Sequence, residues 1–488
     1  MYTVTEKIKM HASEMPDKAA FIIKDQIISY AELYKKINMA ACYFTKMGIG
    51  KGKHVVSVAT PDLNYVVCMY ALLGLGAVHI PAEKKIPAAR LCSIADSVDA
   101  DLIISPEDPG HGIPWISGGE ECGEGAFDPE WNPVPVSDDC AEIIFTTGTT
   151  GKSKGVMLTS HCLDAYIEAM QPSFKLTEKS VFILTTPLNH VGGLHRMHQC
   201  MSAGSTVILM DGIINIKGFF ENADKYGVTH TYLPPASVKV LLTLARTELA
   251  KLDGKLQFIY TASAPFPTKD METLVEILPN TRLYQGYGSS EMGGICNCCY
   301  NAPGETINCL GKPHPCTDVK LLDDEGRVIN EPHVEGKLIC KSAMNMLGYY
   351  NEPELTASVL IDGYVHTSDL MYYDEKGKLY FAGRGDDVIN VKGFKIAPTE
   401  VENIALKYPS VSDCVCIPYN DKKQGCVVKM MICVEENAHC DLTDFTKYLA
   451  ANLEPYKVPK TIETVPALER TANGKLDRKK MIKLYSNI

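Results

Sequence analysis

Apolar residues recur along most of the chain in two alternating rhythms. "SYAELYKKINMAACYFTKMGI" (29–49) carries them at helical spacing and stops at Gly48, where a helix C-terminus is expected. "KHVVSVA" (53–59) is a short apolar run rich in β-branched residues and predicts a strand. "YVVCMYALLGLGAVHIPA" (65–82) approaches membrane-spanning length, but Gly74, Gly76 and Pro81 interrupt or bound it and His79 is polar. It predicts a helix, a tight glycine turn and a short buried strand. "DLIIS" (101–105), "EIIFTT" (142–147), "STVILM" (205–210), "THTYLPP" (229–235) and "LQFIYTASA" (256–264) extend the strand series. Strand–helix alternation of this kind predicts an α/β fold of layered subdomains with parallel pairing.

Two regions depart from that rhythm. Residues 106–140 hold both Trp, several Pro and Gly and many acids, and predict a looping excursion. Beyond residue 310, "DVKLLDDEGRVI", "EGKLICKS" and "KGKLYFAGR" suggest short antiparallel strands around glycine turns, a small β-barrel-like part. After "GRGDDVIN" (383–390) come a helix at 399–408, strands "DCVCIPY" and "VVKMMICVEE", and a helix at 441–453. The expected division is a large N-terminal domain (1–384), a hinge (385–386) and a small, mobile α+β C-terminal domain (387–488). No internal repeat or low-complexity segment interrupts it.

Composition narrows the class. At 488 residues the chain exceeds one ordinary core. Apolar content of 45% and charged content of 22% are globular values. The net charge of −11 disfavours a nucleic-acid surface, yet leaves room for a small anionic ligand in a locally basic pocket. The 18 Cys are scattered and form no paired C-x-x-C set, which fits reduced thiols rather than a disulfide framework or a zinc site. "MYTVTEKIKMHASEMPDK" has no apolar core for a signal peptide. These features predict a cytoplasmic protein with no membrane span.

The densest chemistry lies in "IIFTTGTTGKSKGVMLTS" (143–160). Gly151-Lys152-Ser153 is how a Walker A loop ends, but Thr146 stands where that loop needs its first Gly. Glycines let backbone N–H groups approach phosphate oxygens, hydroxyls add donors and lysines add charge. Thr146, Thr147, Thr149, Thr150 and Ser153 among Gly148, Gly151 and Gly155, with Lys152 and Lys154, suit a polyphosphate without Walker spacing. The bland alternative is a flexible turn.

"TTGTTGKSKGV" resembles the signature loop of the adenylate-forming superfamily, which includes acyl- and aryl-CoA synthetases, adenylation domains of non-ribosomal synthetases and firefly luciferase. Thr147 stands where the family often has Ser, and Ser153 where it often has Pro. Four more segments resemble the family in order along the chain. "QGYGSSE" (285–291) matches its Y-G-x-T-E segment, and "YVHTSDL" (364–370) its T-G-D segment with Ser368 for Gly. "GRGDDVINVKGFKIAPTEVE" (383–402) matches the hinge, and "RTANGKLDR" (470–478) the C-terminal lysine segment.

The resemblance implies an acid–thiol ligase. A carboxylate attacks the α-phosphate of ATP, pyrophosphate leaves, and the acyl-adenylate passes its acyl group to a thiol. Converging cations and fixed donors must offset the repulsion between the two anions. By resemblance Glu291 is the Mg²⁺ ligand, an arrangement that suits this ion's use of one or two carboxylates with phosphate oxygens. Ser290 stands at the phosphate-contacting Thr position. Gly286 and Gly288 flank Tyr287, which is expected against the adenine. Asp369 offers two acceptors to the ribose hydroxyls, and Arg384 reaches ribose and phosphate. Ser263, Ala264 and Pro265 back the adenine and the acid's carboxylate. Lys475 bridges carboxylate and α-phosphate. Lys392 contacts the nucleotide region, Asp386 is the hinge, and Gly393 lines the pantetheine tunnel. Lys395, Lys422 and Lys423 meet the CoA phosphates or are plain surface charge.

For the acid, "PLNHVGGLH" (187–195) resembles the pocket segment, with His190 gating the carboxylate. The expected lining is Asn189, His190, Val191, Gly192, Tyr260, Gly288, Met292 and Gly293. Amino-acid-activating relatives carry an Asp just after the His position; here Val191 follows, which disfavours an α-ammonium. Gly288 replaces the Trp of acetate-specific relatives and should leave space for a medium- or long-chain or aryl acid. His195, Arg196 and His198 recognise a second polar group or face a neighbouring helix. The thiol is CoA's or a carrier protein's phosphopantetheine, and a homodimer stays open. Other classes are a P-loop phosphohydrolase, which Thr146 disfavours, a nucleotide-sensing module, which Lys475 and Glu291 disfavour, and a luciferase-like oxygenase.

Overall fold

In a computed structural model of the chain, residues 2–123, 125–146, 154–391, 394–421, 425–436, 438–471 and 474–487 are described. The apolar run 65–82 resolves as its pattern predicts. Asp62 caps the helix Leu63–Leu75 by accepting from the Tyr65 amide, and the helix stops at Gly76, whose φ of 71° is left-handed. The strand Val78–Ala82, buried throughout, follows at once. No helix among the described residues is long and apolar enough to cross a membrane. Ser29 caps the helix Tyr30–Lys46 through the Glu32 amide, close to the bounds expected for that segment.

Among the described residues, two large sheets carry the α/β rhythm. One runs Gly293–Cys299, Arg282–Ser289, Phe258–Thr261, His230–Tyr232, Val181–Leu184, Thr206–Leu209, Ala19–Ile23, Gln26–Ser29. Its interior pairs are parallel and its two edges antiparallel. The other runs Gly348–Tyr349, Lys154–Thr159, Cys140–Thr146, Val78–Ala82, His54–Val58, Leu102–Ile104, Trp115–Ile116. A single apolar core joins them. It contains Phe21 and Phe182 of the first sheet, Val55 and Ile144 of the second, and Leu72, Met170 and Leu194 from helices packed against both. Among its described residues, the excursion 106–140 holds only the short strand Trp115–Ile116 and the 3₁₀ turn Glu120–Gly123 before it ends in the first strand of the phosphate-loop hairpin. Beyond residue 308 the sheet is antiparallel, as the glycine-turn pattern predicts, in the order Cys309–Gly311, Leu379–Arg384, Tyr364–Tyr373, Gly336–Ser342, Thr317–Leu322, Val328–Ile329. All 18 cysteines are free thiols.

The chain beyond Ile389 builds cores of its own, around Met430 and Phe445 on one face and Ile417 and Met431 on the other. Two antiparallel strands, Val411–Asp421 and Gly425–Val434, form its centre. It docks on the preceding part through Thr399 Oγ1, which donates to the Ala382 carbonyl at 2.8 Å, and through Lys269 and Glu435 at 3.3 Å. A buried ion pair ties its ends together. Arg478 Nη1 and Nη2 donate to the Glu402 carboxylate at 2.6 and 3.1 Å, and the same carboxylate accepts from the Cys416 amide at 2.7 Å. Asp387 lies 3.5 Å from Arg478 Nε. Breaking such a pair leaves an uncompensated buried charge and costs about 3–5 kcal/mol. Glu402→Ala should therefore accelerate amide hydrogen exchange across Val411–Asp421 and Gly425–Val434 by roughly a hundredfold or more, read by mass spectrometry. Exchange in Val181–Leu184, which belongs to a separate core, should stay unchanged.

Candidate active site

Three local structures converge on one face. The first is the hairpin Arg282–Ser289 and Gly293–Cys299, whose turn carries Ser290, Glu291 and Met292. A register shift between Tyr287 and Gly288 bulges it. The Glu291 amide donates to Ser289 Oγ at 3.2 Å, and the Glu291 carboxylate accepts from Tyr349 Oη at 3.0 Å. The second is an antiparallel pair in the next sheet, where Asp369 and Arg384 stand directly opposite in register. Arg384 Nε donates to Asp369 Oδ1 at 3.1 Å, and Tyr287 Oη donates to the other carboxylate oxygen. Burial, then the adjacent Asp369 charge, pushes the Tyr287 phenol well above its usual range, so it stays a donor. The third is the hairpin of Cys140–Thr146 and Lys154–Thr159, with Thr146 and Lys154 paired at its mouth. Lys154 Nζ sits 5.3 Å from the Tyr349 ring centroid. Tyr349 therefore connects the phosphate-loop hairpin to Glu291. Thr147, Gly148, Thr149, Thr150 and Gly151 lie outside the described residues, as do Lys392, Gly393, Lys422 and Lys423.

Lys475 arrives from the far end of the chain. The Thr471 amide donates to the Lys475 carbonyl and the Gly474 amide to the Thr471 carbonyl, both at 2.8 Å, which closes a tight turn. A Cβ placed on Gly474 would lie 3.3 Å from the Ala236 methyl, so the turn rests on the N-terminal part. Lys475 is exposed as a residue, yet surrounding protein partly desolvates its ammonium, which lies close enough to three groups to feel their charges. Burial lowers its pKa, Arg384 lowers it further, and Glu291 and Asp369 oppose both. Two carboxylates and two cations thus meet at one place.

Beside this cluster a cleft runs inward, lined among others by Val191, Gly192, Tyr260, Ser263, Gly288, Ser290 and Gly293. Ser263 has a left-handed φ of 79° and shares a hydrogen bond of 2.5 Å with Tyr232 Oη. A non-glycine residue there stores roughly 1–3 kcal/mol of strain, a feature that gathers at ligand sites. Ala264 is half-buried and Pro265 exposed next to it. The inner wall is the helix Val191–Ser202, which presents His195 and Arg196. His195 Nε2 and His198 Nε2 lie 3.3 and 3.0 Å from the Glu142 carboxylate. Burial opposes ionisation of Glu142, but these hydrogen bonds outweigh it and hold the acid far below the usual carboxylate range. Burial lowers His195 and takes His79 down to about 4, so both rings are neutral near neutral pH.

Three expectations change. Met292 does not face the cleft; it is fully buried in the core of the antiparallel sheet, because the turn points it opposite to Glu291. Asn189 and His190 precede the helix Val191–Ser202, 3.4 Å apart between Nδ2 and Nε2, and are not among the cleft-lining residues. Gly288 lines the cleft, yet its missing side chain does not create the space. A Cβ there would lie 2.0 Å from the Gly293 carbonyl oxygen, so glycine is demanded by the bulge. Gly286 is covered in the same way by Tyr260 Oη, 1.7 Å from a hypothetical Cβ. Tyr349, Tyr232 and the Glu142 cluster were not singled out from the sequence. Glu142 and His195 stand 53 positions apart, and only the fold joins them.

The nucleotide-type donor set, the flanking glycine hairpin and a cleft for a small acid define an ATP-using, adenylate-forming site. The AMP-binding enzyme family profile matches residues 8–350, and the profile of the AMP-binding enzyme C-terminal domain matches 400–475. The chain belongs to the AMP-binding enzyme family. It is similar to the 2-succinylbenzoate–CoA ligase of Bacillus cereus, 25% identical with the whole of both chains covered. It is 31% identical to the long-chain-fatty-acid–CoA ligase of Bacillus subtilis over 70% of this chain and 61% of that one. ATP-bound MatB from Rhodopseudomonas palustris has the same fold, with a TM-score of 0.91 at 21% identity, covering 100% of this chain and 99% of the other.

The bulge yields a direct test. Gly288→Ala must push the Gly293 carbonyl aside and displace the Glu291 turn. The variant should lose about 1–3 kcal/mol of stability, as overpacked sites do, and bind ATP more weakly. Thermal unfolding and calorimetric titration with ATP read the two effects.

Proposed function

We propose that the protein is an ATP-dependent acid–thiol ligase that forms an acyl-adenylate and then a thioester, with CoA as the thiol. Residues 1–384 act as the nucleotide- and acid-binding domain and residues 387–488 as a lid turning at Gly385–Asp386. The observation that carries this reading is the convergence of Lys475 with Glu291, Asp369 and Arg384, close enough for each to act on its charge.

The steps follow from that grouping. Asp369 exchanges its bonds to Tyr287 and Arg384 for the ribose hydroxyls, since a carboxylate has two acceptors for two adjacent donors. The freed Arg384 fork then meets a phosphate. Glu291, aimed by Tyr349 and flanked by the Ser289 and Ser290 hydroxyls, suits a magnesium ion. That ion supplies charge neutralisation when bound. Thr146 and Lys154 hold the ends of the glycine loop at the phosphates. Ser263 and the Gly288 backbone orient the carboxylate for in-line attack. Lys475, as ammonium, sits between carboxylate and α-phosphate and reduces their repulsion. In the thiol half-reaction the lid turns about Asp386, withdraws Lys475 and presents the segment around Gly393. A carrier-protein phosphopantetheine offers the same thiol chemistry, so holo carrier proteins belong beside CoA in the assay.

Acid-dependent ATP–pyrophosphate exchange across short, medium, long-chain and aryl acids tests the reading. Substrate-independent release of phosphate with no exchange would refute it. Lys475→Ala should slow adenylation by about 10²–10³-fold while sparing thioester formation from synthetic acyl-AMP. Equal loss of both half-reactions would rule out the two-position lid.

The pH profile supplies a further check. Only the protonated amine can neutralise two anions, and burial sets the Lys475 pKa below the ordinary lysine value. Adenylation should therefore decline with rising pH before a lysine with the ordinary pKa would titrate. The thiol half-reaction should lack that limb in pH–rate measurements.

A further inference from the structure

Among the described residues, Arg196 has no carboxylate counter-ion. The residue is 4% exposed, and its guanidinium carbon lies 4.5 Å from the Phe174 ring centroid, 5.0 Å from Tyr260, 5.1 Å from Tyr166 and 5.9 Å from Tyr232. Nη1 donates to the Gln199 side-chain oxygen. Nε is buried without an acceptor, and so is the Gln199 side-chain nitrogen. No carboxylate lies within ion-pair distance of Arg196 among the described residues. The nearby acid on this side of the core, Glu142, is already engaged by His195 and His198. Aromatic faces attract a guanidinium, and Tyr260 adds a side-chain hydrogen bond to it, but neither gives Nε an acceptor. A buried charge without a partner is retained against a large desolvation cost, and here the charge lines the cleft.

We propose that Arg196 is the specificity residue of the acid cleft and that the substrate is a diacid. One carboxylate is activated at the mouth, between Ser263 and Lys475. The second is received at the inner wall by the Arg196 guanidinium, with the Gln199 amide as a further donor. The wall between them, made by Tyr166, Val191, Tyr232 and Tyr260, suits an apolar or aryl spacer. This deepens the ligase reading and rests on it for the placement of the first carboxylate; recognition of the second carboxylate by Arg196 stands on the cleft alone.

Two measurements on the full chain, run together, test the idea. Straight-chain α,ω-diacids, benzenedicarboxylic acids and the monomethyl ester of each are offered in pyrophosphate exchange and in equilibrium dialysis. At least one diacid should exceed its ester by about 30-fold or more in kcat/KM and in affinity, the scale of a desolvated charge pair. Arg196→Met, close in volume and apolar, should invert that ratio without lowering the thermal midpoint, because it removes an unpaired charge. Arg196→Lys, which keeps the charge and loses the fork, should fall between them. The proposal is overturned if the esters or simple monoacids equal the diacids in the unaltered protein. It is equally overturned if Arg196→Met lowers the melting temperature and weakens all acids alike, the mark of a purely structural guanidinium. Diacid binding that depends on Arg196, with no exchange for any acid, would sink the ligase reading and keep Arg196 as an anion receptor. No diacid binding in dialysis would sink the receptor itself.

Discussion

The ammonium of Lys475 is gathered, partly desolvated, beside two carboxylates and one guanidinium. Desolvation and the Arg384 charge lower its pKa, and Glu291 and Asp369 oppose both, so the two acids favour the protonated amine. Each of those acids is aimed by a tyrosine, Tyr349 for Glu291 and Tyr287 for Asp369. A tyrosine suits the task because its ring buries apolar area while its hydroxyl fixes a polar tip. The four charged groups sum to no net charge, which lets them coexist in a partly desolvated place. An arriving triphosphate tips that balance toward the negative. Lys154, on the second sheet and beside the Tyr349 ring, supplies a further cation near Glu291.

Much of this was legible in the chain. The alternation of apolar runs predicts the two α/β sheets, and the glycine-spaced short strands predict the antiparallel one, because pleat and helix periods are local properties. The glycine loop, the Tyr287–Glu291 hairpin, Asp369, Arg384 and Lys475 stand out because they are short contiguous patterns. The inner cleft was less legible. Its wall combines Tyr166, Tyr232 and Tyr260 with Arg196, residues from four separate segments, and an aromatic in a strand reads as core whether or not it borders a cavity. Met292 was drawn into the cleft by its neighbours in sequence, yet successive residues in a tight turn point to opposite sides.

Gly288 separates two meanings of an absent side chain. From sequence, a glycine in a substrate pocket reads as volume. In the structure its Cβ direction is filled by the Gly293 carbonyl, because the bulge between Tyr287 and Gly288 brings the two strands of the hairpin together there. The turn carrying Glu291 is consequently short and stiff. The helix Val191–Ser202 and Tyr166, Tyr232 and Tyr260 line the cleft.

That helix carries two charges' worth of consequence side by side. His195 turns toward Glu142, on the strand that leads into the glycine loop, and with His198 satisfies the buried anion. Arg196, the next residue, turns the other way into the aromatic wall. Both ionised groups lie in the same core, but the anion is engaged at both oxygens, whereas Arg196 Nε has no acceptor among the described residues. The asymmetry has a physical reason. Glu142 anchors the strand Cys140–Thr146 from its buried side, and a strand that must hold a phosphate loop in register needs its anchor fully satisfied in every state. A group that is completed by something entering from outside does not, and it tolerates an open hydrogen bond for as long as the cleft can be filled.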